Sequence, residues 1–106
     1  MMFKKACAEQ VLTGVKTCTR RPLKTGRLRR VFDVGKEYTV LVGYRDFGVK
    51  IKVFERYRQA LGQMTEQDAV KEGFTSLAEF QAAWKEIYGK YDPLEVVWVY
   101  EFKLVK

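Results

Sequence analysis

The chain has 106 residues, of which 47% are hydrophobic and 14% aromatic, enough to form a hydrophobic core in one domain spanning residues 1–106. Its 20 lysines and arginines outnumber its 13 acidic residues, and the resulting net charge of +7 favours a polyanionic partner. The chain contains no histidine, and its only serine is Ser76. These absences exclude Ser-His-Asp and Cys-His catalysis, histidine-ligated metal sites and histidine pH switches.

The start of the chain and its two cysteines predict a cytoplasmic location. Residues 1–10 include no apolar run long enough for a signal peptide or a membrane span. Cys7 and Cys18 form neither a CxxC pair nor a metal-binding quartet, so we expect reduced thiols and no bound metal or cofactor. A composition rich in lysine, arginine and glutamate but without asparagine is also typical of thermophile proteins.

The excess positive charge lies in one segment, residues 16–36, where eight basic residues accompany a single acid, Asp33. Pro22, Gly26 and Gly35 disfavour helix there, so the segment is predicted to be mostly loop. A charged loop that is simply solvated is one interpretation. The clustering favours the other interpretation, an anion-binding surface. The eight basic residues are Lys16, Arg20, Arg21, Lys24, Arg27, Arg29, Arg30 and Lys36.

The first half of the chain predicts one helix and then a β-hairpin. Residues 5–13 combine good helix formers with apolar residues on one side and should form a short amphipathic helix. Residues 16–21, with alternating threonines, suggest an extended segment. Residues 37–44 and 49–53 have strand patterns, and the turn-forming residues 45–48 between them predict a hairpin.

The second half predicts two capped helices and a long strand. Thr65 opens a helix that runs to about Glu72, and Ser76 with Glu79 forms the capping box of the next helix. Residues 95–105 should form a central strand, since both of its faces are apolar. These elements predict an α+β fold with a small curled or barrel-like mixed sheet and flanking helices. The apolar face of the last helix, expected to serve core packing, comprises Leu77, Phe80, Trp84 and Ile87.

Three segments resemble a known family. Residues 14–21, GVKTCTRR, resemble the G-x-K-T-x-T-x-R signature of the ASCH domain family in the PUA-like superfamily. Residues 69–74, AVKEGF, resemble its second signature, and residues 99–102, VYEF, its closing V-x-x-F pattern. The chain is thus similar to small single-domain ASCH proteins of prokaryotes and archaea. The second signature continues through Ser76, Phe80, Trp84 and Tyr88.

The resemblance implies a small PUA-like β-barrel of five or six strands, with a cleft between barrel and helices. It implies binding of RNA or a modified nucleoside there, with no metal and no cofactor. One branch of the family hydrolyses N4-acetylcytidine with a lysine, a threonine and a glutamate, roles that would fall on Lys16, Thr19 and Glu72. Arg20 stands where the family commonly has an apolar residue. The residues expected to contact nucleic acid are Lys16, Arg20, Arg21, Lys24, Arg27, Arg29 and Arg30.

The residues and the resemblance leave three functions open. The first is an RNA- or nucleoside-binding protein, expected to be monomeric and to act in RNA metabolism. The alternative is a metal-independent hydrolase, acting on acylated cytidine or on RNA as a ribonuclease. The third is a cleft that binds some other small anion. Catalysis requires Lys16 and Thr19 to converge, although residues three apart on a regular strand point to opposite faces. Lys16 and Glu72 could otherwise form only a structural ion pair.

Overall fold

The structure, a computed structural model, describes residues 1–23 and 31–105. Three α-helices, a short 3-10 helix (Leu61–Gln63) and five strands make up most of this part of the chain. None of the described helices combines the length and the apolar character that crossing a bilayer requires. The helices are α1 (Lys5–Thr13), α2 (Glu66–Lys71) and α3 (Leu77–Tyr88). The strands are β1 (Met2–Phe3), β2 (Cys18–Pro22), β3 (Glu37–Val42), β4 (Arg45–Ala60) and β5 (Val96–Val105).

The five strands form one mixed sheet in the order β1-β3-β4-β5-β2. The β1–β3 pair is parallel and the other three pairs are antiparallel. The sheet curls into a half-barrel, which confirms the predicted α+β architecture. Strand β5 lies between β4 and β2, the interior position that its two apolar faces predicted.

The hairpin of β3 and β4 turns earlier than the sequence predicted. The prediction placed the turn at residues 45–48, but Val42 pairs with Arg45, so the two turn residues are Gly43 and Tyr44. Gly43 has φ of 62°, a conformation that glycine adopts without a steric penalty and that tight hairpin turns require. Strand β4 therefore starts at Arg45 and is much longer than the predicted strand at 49–53.

Two clusters of buried side chains hold the helices to the sheet. The first fills the concave side of the half-barrel, where Phe3, Ile51 and Tyr100 are buried. The second packs Phe80 and Trp84 of α3 against other apolar residues. The predicted apolar face of α3 is thus confirmed at these two positions, whereas Ile87 is 52% exposed. The rest of the second cluster consists of Leu61, Met64, Ala69 and Val97.

Both predicted helix caps are present, but only one is a full capping box. The Thr65 hydroxyl accepts a hydrogen bond from the Asp68 amide, and the Asp68 carboxylate accepts one from the Thr65 amide. Ser76 Oγ accepts from the Glu79 amide at 3.1 Å. The Glu79 carboxylate accepts instead from the Thr75 hydroxyl, at 2.7 Å, so the predicted reciprocal box at Ser76 is wrong.

Candidate functional site

Lys16 lies in the irregular link between α1 and β2, which contacts three other elements. Its amide donates to the Gln10 carbonyl of α1 at 3.0 Å. The Thr17 amide donates to the Lys71 carbonyl of α2 at 2.9 Å, and the Thr17 carbonyl accepts from the Phe102 amide of β5. Regular strand geometry begins only at Cys18. The chain therefore bends before the strand, and Lys16 and Thr19 border the same cleft.

Glu72 brings its carboxylate to Lys16 from the end of α2. It is the C-terminal cap residue of that helix, and the helix ends because Gly73 follows with φ of 94°. Lys16 Nζ lies 3.1 Å from Glu72 Oε1 and donates to the Glu72 backbone carbonyl at 2.7 Å. The lysine is only 5% exposed. This buried pair joins the link before β2 to helix α2.

Arg20 contacts the second oxygen of the same carboxylate. Its Nη1 lies 3.1 Å from Glu72 Oε2, and its Nη2 donates to Gln59 Oε1 at 2.8 Å. Asp68 Oδ2 is 3.6 Å from Nη2. The Arg20 side chain is 1% exposed, so it does not lie on the phosphate-binding surface that the sequence predicted. Buried guanidinium groups need acidic partners, and Glu72 and Asp68 supply them.

Arg21 bridges the two edge strands of the half-barrel. Its Nη2 donates to the Met2 carbonyl of β1 at 2.7 Å, and its guanidinium lies 5.1 Å from the centre of the Phe3 ring. Its Nε lies 3.4 Å from Thr19 Oγ1. Burial lowers the pKa of the Arg21 guanidinium. Arg21 thus orients the Thr19 hydroxyl while bordering the cleft itself.

The cleft between the half-barrel and α3 has a volume of about 470 Å³. Lys16, Thr19 and Glu72, the three predicted catalytic residues, all border it. Arg20 and Arg21 also border it. The apolar side chains around it are those of Met2, Phe3, Cys7, Val42, Phe80, Trp84, Ile87 and Tyr88, and Lys4 and Gly43 complete the lining.

The sequence analysis did not predict the aromatic side of the cleft. It assigned the apolar face of α3 to core packing alone. Trp84 and Tyr88 lie with ring centres 4.4 Å apart. Trp84 is buried, and its Nε1 finds no hydrogen-bond acceptor within residues 1–23 and 31–105. Burial raises the pKa of Tyr88, so its phenol is neutral at physiological pH. The second signature includes both positions, and that signal could have identified them.

The remaining predicted contacts lie elsewhere. Lys24, Arg27, Arg29 and Arg30 lie outside the described residues. Within the described part of the chain, no group of three or more histidine, cysteine, aspartate or glutamate side chains could hold a metal ion. The candidate site therefore consists of a buried ion network and an aromatic wall.

Cys18 lies beside this network, and burial raises its pKa from 9.0 to about 12. The thiolate is the reactive form of a cysteine. At pH 8 the thiolate fraction of Cys18 should be about a thousandfold lower than that of a cysteine with the ordinary pKa, and it becomes large only as the pH approaches 12. We expect a thiol reagent to label the partly exposed Cys7 in the native protein at pH 8 and both cysteines in denaturant. Mass spectrometry of the labelled peptides measures this, and rapid native labelling of Cys18 would contradict it.

Comparisons with known proteins identify the fold. No family model matches the chain, and no curated protein matches its sequence. An ASCH domain from Lactobacillus crispatus JV V101 superposes with a TM-score of 0.81, at 19% identity, over 93% of this chain and 70% of that one. Protein EF3133 from Enterococcus faecalis V583 gives a TM-score of 0.71 at 20% identity, over 94% and 70%. Hypothetical protein PH0355 gives 0.73 at 18% identity, over 99% and 96%. The chain therefore has the fold of the ASCH domain, as the sequence resemblance predicted.

Proposed function

We propose that this protein binds RNA and takes one unstacked nucleobase, with its ribose, into the cleft. The observation that carries the proposal is the composition of the cleft, where the Lys16–Glu72 pair and the aromatic residues Trp84 and Tyr88 border one space of about 470 Å³. Pockets for small ligands are mostly apolar with a few placed polar groups. Proteins that bind unpaired RNA bases stack them on aromatic rings and bond their edges.

The polar groups of the cleft favour a ligand that accepts hydrogen bonds. An ammonium group has three donors, and Lys16 directs two of them to Glu72, through its carbonyl and its carboxylate. One donor is left for a ligand. Trp84 borders the same cleft, and its Nε1 has no acceptor within the described residues, so we take this nitrogen as a second donor for the ligand. The carbonyl oxygens and ring nitrogens of a nucleobase would satisfy such donors.

Tyr88→Ala is expected to weaken binding of a short single-stranded RNA about tenfold. Stacking of a base on an aromatic ring contributes about 1–3 kcal/mol, and Tyr88 is 41% exposed, so its removal should leave the fold intact. Fluorescence anisotropy at low salt measures the affinity. Tyr44→Ala is the matched control, because Tyr44 is 97% exposed in the hairpin turn and does not border the cleft. Equal affinities for the two variants, or no RNA binding by the wild-type protein, would contradict the proposal.

A second function, hydrolysis of an acylated cytidine, is favoured by one observation. Lys16, Thr19 and Glu72 border a single cleft, and the lysine contacts the glutamate. In this reaction water would add to the amide carbonyl of N4-acetylcytidine and release acetate and cytidine. Lys16 and Glu72 would move the proton of the attacking water, and the Thr19 hydroxyl would orient the carbonyl. If the Thr19 hydroxyl attacked first, cytidine would leave and an acetyl ester of Thr19 would form, which water would then hydrolyse to acetate.

Incubation of the purified protein with N4-acetylcytidine separates the two functions. Formation of cytidine that is lost in Lys16→Ala and in Glu72→Gln, with both variants folded, would support the hydrolase. A wild-type protein that binds RNA and leaves N4-acetylcytidine intact would support binding alone.

A further inference from the structure

An irregularity in β4 places two arginines on the concave side of the half-barrel. Val53 pairs with Phe102 and Glu55 with Glu101, so β4 has one residue more than β5 at this point, a β-bulge. Side chains alternate along a strand, and Ile51 and Val53 face the core. From the extra residue onward, each side chain of β4 lies on the face opposite to the one that regular alternation would give it. Arg56 and Arg58, rather than Glu55 and Tyr57, consequently take the face on which Val53 lies.

Contacts with Trp98 support this placement. The guanidinium carbons of Arg56 and Arg58 each lie 4.9 Å from the centre of the Trp98 ring. Trp98 in turn packs against the core cluster on the concave side, beside Tyr100. The register pairs Arg58 with Trp98 across β4 and β5, and Arg21 with Trp98 across β2 and β5. Arg21, Trp98 and Arg58 thus form a row across three adjacent strands, which we call the arginine–tryptophan row.

The row starts at the cleft, because Arg21 is one of the lining residues. Adjacent strands lie about 4.8 Å apart, so Arg58 stands about 10 Å from Arg21 along the row, measured between strand axes. The two arginines that contact Trp98 differ in whether a carboxylate neutralises their charge. Arg56, next to the row, has a carboxylate partner, with Asp33 at 3.6 Å, and also donates to the Phe32 carbonyl. Arg58 is exposed and forms no ion pair with any residue in the described ranges.

We infer that the arginine–tryptophan row binds the phosphates of nucleotides that adjoin the base in the cleft, which makes single-stranded RNA the ligand rather than a free nucleoside. The inference rests on the proposed function. Guanidinium groups bind phosphate through paired N–H donors and also stack on bases. A duplex fits poorly, since a base can enter the cleft only when it is unpaired. Stacking on Trp98 holds the Arg58 guanidinium in place and so lowers the entropy lost on binding.

Arg58→Gln tests the inference, because Arg58 is exposed and its replacement should preserve the fold. We expect this variant to bind a short single-stranded RNA about fivefold more weakly than wild type at low salt. The slope of log affinity against log salt should become shallower by about 0.7, the effect of losing one phosphate contact on a single strand. Affinity for the free nucleoside of the same base should be unchanged.

Lys52→Gln is the matched control. Lys52 lies on the same strand and loses the same charge, but it is exposed and lies between the buried Ile51 and Val53, so it points to the opposite face of the sheet. Its RNA affinity and salt slope should equal those of wild type. Equal salt slopes for Arg58→Gln and Lys52→Gln would overturn the inference and leave the proposed function standing. Absence of RNA binding by the wild-type protein, whether or not the free nucleoside binds, would overturn both the inference and the proposed function.

Discussion

Glu72→Ala is expected to lower the free energy of unfolding by about 3 kcal/mol. The Glu72 carboxylate faces Lys16 through one oxygen and Arg20 through the other, both at 3.1 Å, and all three side chains are at most 5% exposed. Removing one partner of a buried ion pair costs about 3–5 kcal/mol, because the remaining charge stays desolvated. We expect the lower end of that range, since Asp68 and Gln59 still contact Arg20. Urea denaturation followed by circular dichroism measures the change.

The matched control for this experiment is Glu86→Ala, which removes an exposed glutamate from α3. Surface substitutions of this kind usually change stability by less than about 0.5 kcal/mol. Glu72→Gln should fall between the two variants, because it keeps hydrogen-bonding capacity but loses the charge. A loss below about 1 kcal/mol for Glu72→Ala would show that the network contributes little to stability.

Gly73→Ala is expected to cost about 2–3 kcal/mol. Gly73 has φ of 94°, and a side chain in the left-handed region costs about 1–2 kcal/mol. A Cβ atom there would also lie 2.4 Å from Gln10 Oε1. Gln10 cannot move aside freely, since its Nε2 donates to the Gly73 carbonyl at 2.8 Å, and losing that bond costs about 1 kcal/mol more. Urea denaturation measures this loss as well.

Gly14→Ala separates the cost of placing a side chain in the left-handed region from the cost of displacing Gln10. Gly14 has a similar φ of 82°, and a Cβ atom there would meet nothing within 4 Å. It should therefore show the conformational cost alone, about 1–2 kcal/mol. If the two glycine variants lose the same stability, the contact between Gln10 and Gly73 does not help to hold α1 against the end of α2.

The structural role of Glu72 affects how a loss of activity in its variants is interpreted. Glu72 is both a candidate catalytic group and the common partner of two buried cations, so loss of activity on its replacement can reflect loss of the fold. Tyr88 and Arg58 are both exposed, and neither takes part in the ion pairs of Lys16, Arg20 and Glu72. Their variants therefore report on binding more directly than variants of Lys16 or Glu72 do.

Much of the local structure could be predicted from neighbouring residues. Helix α1 at Lys5–Thr13 and the capping box at Thr65 follow from short-range patterns, because a helix and its cap depend on residues within a few positions. The hairpin turn was misplaced because Asp46 and Gly48 have turn-forming character. Asp46 Oδ1 does accept a bond from the Gly48 amide at 2.7 Å, yet both residues lie within β4. The local preference instead produces an irregularity inside the hairpin, because Leu41 pairs with Asp46 but Thr39 pairs with Lys50.

The site was predictable in its chemistry and less so in its geometry. The first signature indicated Lys16 and Thr19 and the second indicated Glu72, and all three border one cleft. Sequence reasoning treated Arg20 as one more surface cation of the basic segment. Its position depends on Glu72, which is 52 residues away in the chain, and no local pattern encodes such a contact.

By itself, then, the sequence determined the chemical groups available, the helices with their caps and the resemblance to the ASCH domain, since these depend on residue types at short spacings. Only the tertiary structure decided which side each group faces. The bend before Cys18 brings Lys16 and Thr19 to one cleft, and the bulge at Val53 and Glu55 turns Arg58 towards Trp98. The physical reason is that a one-residue shift in a strand reverses the direction of every later side chain, and contacts with distant strands set that shift.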